Sequence, residues 1–255
     1  MKKTRFSRAA LCAALLVIAF GGAAFAGPDG DCILDHCADR TDAPAAAPAP
    51  APRYEPGPRD QGASGRPGDF DFYVLALSWS ASFCEIGGGR QPQAQCAPGA
   101  GFGFVVHGLW PQYDRGFPSD CPGPSAPSRI ALEKAGGVYP DIGLARHEWR
   151  THGTCSGKSP TDYFNDVARA RDAVVVPPPF VKPTQAQSFT PVDVERAFIA
   201  ANPRLRPGML AVGCRRGMIE DVKICLSKDL REFRACPDVV RRDCRAGEIS
   251  VPAPR

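Results

Sequence analysis

Eleven cysteines in a chain of 255 residues constrain the fold more than any other feature. A reducing cytosol keeps thiols free, so this density points to an oxidising compartment and a disulfide framework. Cys12 stands apart from the rest. It lies in an apolar run, Ala9 to Phe20, preceded by Lys2, Lys3, Arg5 and Arg8 and followed by Ala24-Phe25-Ala26. A basic start, a short apolar stretch and a small-residue site form the pattern of a secretory signal. Residues 1–26 are therefore expected to be removed, and the run is shorter than the ~20 residues of a membrane span. Ten cysteines then remain, an even number that can pair completely. Spacing alone does not say which pairs with which.

Charge narrows the classes further. The chain has 31 basic and 27 acidic residues, and four of the basic ones lie in the leader. The remaining 27 basic side chains balance the acids, so a uniformly basic coat for nucleic acid is excluded. Any polyanion must be met by a local site. Ala43 to Pro52 alternates alanine and proline, and Pro/Gly-rich sequence continues to about Gly68. Such composition forms an extended linker. Residues 27–69 are read as this linker plus a local Cys32/Cys37 loop, and residues 70–255 as the folded domain.

Within that domain, Phe70 to Trp79 and Phe102 to Trp110 have the aromatic and β-branched content of strands, with Pro111 ending the second. Val105 and His107 fall on one face of it, Phe104 and Val106 on the other. Leu144 to Thr154 is expected to be helical without a strong cap at its start. Ser159-Pro160-Thr161-Asp162 and Thr190-Pro191-Val192-Asp193 each supply a cap, a proline at the first helical position and an acid two residues later. Val222 to Leu226 and Glu248 to Val251 read as late strands. Strands and helices mix without regular βαβ alternation, which predicts an α+β fold: a central, mostly antiparallel sheet with packed helices.

The chemistry concentrates in two segments that hold three of the four histidines: His107-Gly108-Leu109-Trp110-Pro111, and His147-Glu148-Trp149-Arg150-Thr151-His152-Gly153-Thr154-Cys155. On a helix, Glu148 lies one turn from His152, and His147 one turn from Thr151. A carboxylate beside an imidazole orients it and stabilises its charged form. The H-E-x-x-x-H spacing does not put both rings on one helical face, as the H-E-x-x-H zinc motif requires. Neither a metal nor a cofactor is expected.

These two segments resemble the paired active-site segments of the ribonuclease T2 family. FYVLALSWSASFC at 72–84 resembles the family's first core strand, and the cysteine pattern from Cys214 to Cys244 is similar as well. The likeness spans Phe70 to Val251. It implies cleavage of single-stranded RNA by transfer of phosphate to the adjacent 2′-hydroxyl, in a monomer that is periplasmic or secreted and free of the membrane once the leader is removed. By matching positions, His152 would be the base, His107 the acid, His147 a phosphate ligand and Glu148 a stabiliser of the crowded phosphorus. Trp110 and Phe117 would stack on a base, with Gln112, Arg150 and Thr151 also toward substrate. Thr151 stands where the family usually has lysine, and Arg150 is its nearest charged neighbour. The family pattern pairs Cys84 with Cys96, Cys121 with Cys155, Cys214 with Cys244 and Cys225 with Cys236, leaving Cys32 for Cys37. A non-catalytic RNA-binding protein on the same scaffold is the alternative reading.

Overall fold

A computed structural model of the protein describes residues 65–87 and 94–255. The leader, the Ala/Pro tract and the Cys32/Cys37 pair lie outside the described residues. In chain order the elements are β1 (Phe72–Trp79), α1 (Ser80–Ile86), β2 (Phe104–Gln112), α2 (Arg129–Ala135), α3 (Ile142–Thr151), α4 (Pro160–Asp172), β3 (Gln187–Phe189), α5 (Pro191–Ala201), β4 (Leu210–Arg215), β5 (Met218–Ser227), α6 (Pro237–Val240) and β6 (Ile249–Val251).

All eight residues of β1 are buried. Alternation sends Tyr73, Leu75, Leu77 and Trp79 into the main core and Phe72 and Val74 into a smaller cluster with Cys225 and Cys236. A strand covered on both faces belongs in the middle of a sheet, and β1 pairs antiparallel with β2 on one side and β5 on the other. The sheet runs β2-β1-β5-β6-β3, with β4 also paired antiparallel to β5, and β6 meeting β5 in parallel at a single pair. The class is α+β with a mostly antiparallel sheet, as the sequence predicted.

Two boundaries differ from the sequence expectation. Pro111 does not end β2, which continues to Gln112 with Pro111 opposite Tyr73. β2 terminates the sheet order, and an edge strand tolerates a residue with no N–H to donate. The third helix also starts earlier than expected and is capped after all. The Asp141 side chain accepts hydrogen bonds from the Gly143 and Leu144 amides at 2.6 and 3.3 Å, a contact worth ~1 kcal/mol. This helix stops at Thr151, and residues 153–156 form a 3-10 turn. The two proline-marked starts hold: the Ser159 hydroxyl accepts from the Asp162 amide and the Thr190 hydroxyl from the Asp193 amide. α4 lays Tyr163, Phe164, Val167 and Ala170 into the main core, and α5 adds Val194 and Phe198.

Among the described residues, four disulfides join Cys84 to Cys96, Cys121 to Cys155, Cys214 to Cys244 and Cys225 to Cys236. The second ties the loop after β2 to the turn after α3, the two places where the histidine segments end.

Candidate active site

Strict alternation along β2 would put His107 and Trp110, three residues apart, on opposite faces of the sheet. The strand avoids this with a bulge. Ala76 pairs with Gly108 and Leu77 with Val106, so His107 is an extra residue with no partner across the ladder. A bulge re-aims the side chains that follow it. His107 and Trp110 consequently share one side, ring centroids 5.4 Å apart and nearly perpendicular. Gly108 between them has no side chain for a packing reason: a Cβ there would collide with the Glu148 carboxyl and the Trp110 indole nitrogen.

Glu148 comes from α3, and its side chain is only 1% exposed. Trp110 donates its indole N–H to Glu148 Oε2 at 2.7 Å, while Oε1 lies 3.6 Å from His107 Nε2. His152 sits just beyond the helix as its C-cap, with its ring 5.2 Å from that of Trp110. The indole of Trp110 thus lies within about one ring's reach of both imidazoles. α3 is held in place by Trp149, a core residue whose indole N–H donates to the Pro124 carbonyl at 2.8 Å. The Tyr163 hydroxyl of α4 donates to the Leu109 carbonyl of β2 at 2.9 Å.

Burial dominates the electrostatics. It pushes the Glu148 carboxyl up to about 8, against the opposing hydrogen bond from Trp110. It pushes the His152 imidazole down to about 3, with further lowering from His107 and His147. His107 is lowered as well, chiefly by burial, with Asp221 raising it and Lys223 and His147 lowering it. Burial thus favours the neutral forms of Glu148, His107 and His152.

These shifts predict how stability depends on pH. Between about 4.5 and 8 the folded protein keeps a proton on Glu148 that the unfolded chain has released, so the Glu148 contribution falls as pH rises. Between about 3 and 6.5 the unfolded chain protonates His152 and the folded protein does not, so that contribution rises with pH. Where the windows overlap, the two oppose each other. Glu148→Gln removes only the first. The stability of this variant relative to wild type should therefore climb between pH 5 and 8, by at most about 1.4 kcal/mol per pH unit. Urea midpoints measured across that range test this, and a difference that does not vary with pH refutes it.

A cavity of about 380 Å³ opens beside the rings. Trp110, Gln112, Phe117 and His152 line it, as does Lys223 from β5. The Gln112 side chain is buried and donates to the Pro111 carbonyl. His147 is exposed on α3, close enough to both other imidazoles to influence them. Arg150 is also exposed, and neither it nor Thr151 lines the cavity; the Thr151 carbonyl accepts from the Asp120 amide at 2.8 Å. Asp221 and Lys223 were missed by sequence reasoning. The available signal was the pair Asp221 and Lys223 at alternate positions of a stretch, Ile219 to Leu226, whose third charge is Glu220, since a charge on a largely buried strand needs a partner.

The fold and this cluster define a protein of the ribonuclease T2 family. The model of that family matches residues 70–236, and the chain belongs to it. Over 182 residues it is 35% identical to a ribonuclease of Aeromonas hydrophila, which covers 71% of this chain and 82% of that protein. Among solved structures, the RNase-related protein from Calystegia sepium superposes with a TM-score of 0.58 at 22% identity, covering 73% of this chain and 98% of that one. RNase NT in complex with 5′-AMP gives a TM-score of 0.54 at 21% identity, covering 73% and 98%. The chain is an RNA-cleaving enzyme. No helix among the described residues is long and apolar enough to cross a membrane.

Proposed function

We propose that the enzyme is an endoribonuclease that cuts single-stranded RNA by transphosphorylation, with no metal in the reaction. The observation that carries this reading is the placement of His107 and His152 around the indole of Trp110, with Trp110 and His152 lining the cavity. His152, kept neutral by burial, takes the proton of the ribose 2′-hydroxyl. The 2′-oxygen attacks phosphorus, the bond to the 5′-oxygen breaks, and His107 delivers a proton to the departing oxygen. The product is a 2′,3′-cyclic phosphate, which water opens to a 3′-phosphate with the two histidines exchanging roles. His107 must be protonated to act, and the negative phosphate of a bound substrate opposes the lowering that burial imposes.

A carboxylate would repel the pentacoordinate intermediate. Burial removes that difficulty by holding Glu148 protonated, so it acts as a hydrogen-bond donor to a phosphoryl oxygen. His147, exposed at the rim, meets the phosphate as it enters. Trp110 and Phe117 offer faces for base stacking, worth ~1–3 kcal/mol per base. Nucleotide binding on this fold is supported by the neighbour crystallised with 5′-AMP. The disulfides support a periplasmic or secreted location for a monomer whose leader, residues 1–26, has been removed.

The substrate's own hydroxyl is the nucleophile in this mechanism. An RNA oligonucleotide with one 2′-deoxy residue should therefore resist cleavage at that linkage alone, and DNA should not be cut. Mass spectrometry of early products should find cyclic phosphate ends, and excess chelator should leave the rate unchanged. Cleavage of DNA, or loss of activity in chelator, would overturn the mechanism.

A further inference from the structure

We infer that Lys223, on the central strand β5, is a further catalytic residue, whose ammonium group donates to a nonbridging oxygen of the scissile phosphate. This rests on the transphosphorylation reading above. An intermediate that gathers negative charge on phosphorus needs a fixed cation close by. Thr151 has no charge, and the exposed Arg150 does not line the cavity. Lys223 and Arg242 are the cations that do. Arg242 is 67% exposed on the outer side and pairs with Asp238. Lys223 is only 30% exposed and rises from the floor of the sheet.

The strand register places it. Lys223 pairs with Ala76, and Ala76 pairs with Gly108, the neighbour of His107. Those three positions form one row across the sheet. Two strand spacings of about 4.8 Å separate the backbones of Lys223 and Gly108. The residue between them in this row is Ala76, whose side chain is a single methyl group. The influence of Lys223 on His107 noted above is the electrostatic sign of that proximity.

The lysine is also held in a defined orientation. Its Nζ donates to both carboxylate oxygens of Asp221, at 2.7 and 2.6 Å. Asp221 is buried, and the space for its carboxyl exists because residue 213, opposite it on β4, is glycine; a Cβ there would collide with Asp221 Oδ1. An ammonium has three N–H donors. Asp221 engages two oxygens' worth of them and leaves one for a phosphoryl oxygen. Asp221 is thus the positioning residue, and the pair delivers a donor to the cavity at no cost in reorganisation when the charge develops.

The test is a double-mutant cycle with wild type, Lys223→Met, Thr151→Lys and the combined variant, plus Lys223→Arg. Turnover is measured on an oligonucleotide with a single ribose, and affinity with its 2′-deoxy counterpart. Lys223→Met should lower kcat by about 10²-fold, the loss typical of one removed oxyanion donor, while Kd changes by less than about threefold. Lys223→Arg should keep most of the turnover. Thr151→Lys should gain less than about threefold in the wild type but at least about tenfold in the Lys223→Met background, where it replaces the lost charge. Unchanged kcat in a folded Lys223→Met enzyme overturns the inference, as does a loss confined to Kd. Should that variant fail to melt cooperatively, Thr151→Lys in the wild type decides. A gain of about tenfold or more there would mean that no cation yet serves the phosphate. If the wild type itself makes no cyclic phosphate, the failure lies with the proposed function and not with Lys223.

Discussion

Alanine in place of His107 or His152 is expected to lower kcat on single-stranded RNA by about 10²–10⁴-fold each, with the fold intact. In the proposed mechanism each ring moves one of the two protons that the reaction transfers, so either loss should stall the same transition state. Combining the two should therefore cost much less than the product of the single effects. Neither change should unfold the protein. The His107 side chain is 39% exposed, and Glu148 keeps its hydrogen bond from Trp110 without it. His152 contributes to the helix end through its backbone N–H, which donates to the Glu148 carbonyl at 2.9 Å and which alanine retains. His147→Ala, at the exposed rim, should raise Kd for the uncleavable analogue more than it lowers kcat. Single-turnover rates and circular dichroism separate these effects, and normal turnover in His152→Ala would refute the assignment of the base.

Loss of the Cys121–Cys155 bridge should cost about 2–5 kcal/mol of stability and most of the activity together. The two cysteines are 34 residues apart in sequence, and closing a loop of that size restricts the unfolded chain by about 4 kcal/mol in the chain-entropy account. Both are buried, so the change to make is the double Cys121→Ala/Cys155→Ala, which leaves no lone thiol behind. Activity should fall because Cys155 lies three residues after His152. The bridge fastens the turn that carries this ring to the loop following β2, where the Asp120 amide also binds the Thr151 carbonyl. Without the bridge, the turn after α3 loses its cross-link to the loop after β2, and His152 is free to drift from Trp110. Urea unfolding and kcat on the same preparation measure both effects. A variant that loses stability but keeps full turnover would show that the bridge serves the fold alone.

Sequence by itself determined the parts of this protein whose causes are local. The caps at Ser159 and Thr190 were legible because a cap, its proline and the amide it binds lie within four residues. The α+β class followed from the aromatic and β-branched content of short strands mixed with capped helices without regular βαβ alternation, and the two histidine segments stood out by composition. The cap at Asp141 is equally local, but it stands three residues before Leu144, outside the stretch in which the sequence places the helix.

Tertiary structure alone decided what those segments become. His107 and Trp110 share a side only because β1 pairs with β2 through a bulge, and register is set by the neighbouring strand rather than by the strand's own sequence. The proton affinity of Glu148 is raised only because the fold buries it, against the hydrogen bond from Trp110; its residue type says carboxylate, and burial says acid. Lys223 and Asp221 stand more than a hundred residues after His107 in the chain, and the pairing of β5 with β1 is what brings them within electrostatic reach of it. Proton affinity and proximity are properties of an enclosed space, and the chain creates that space only when it folds.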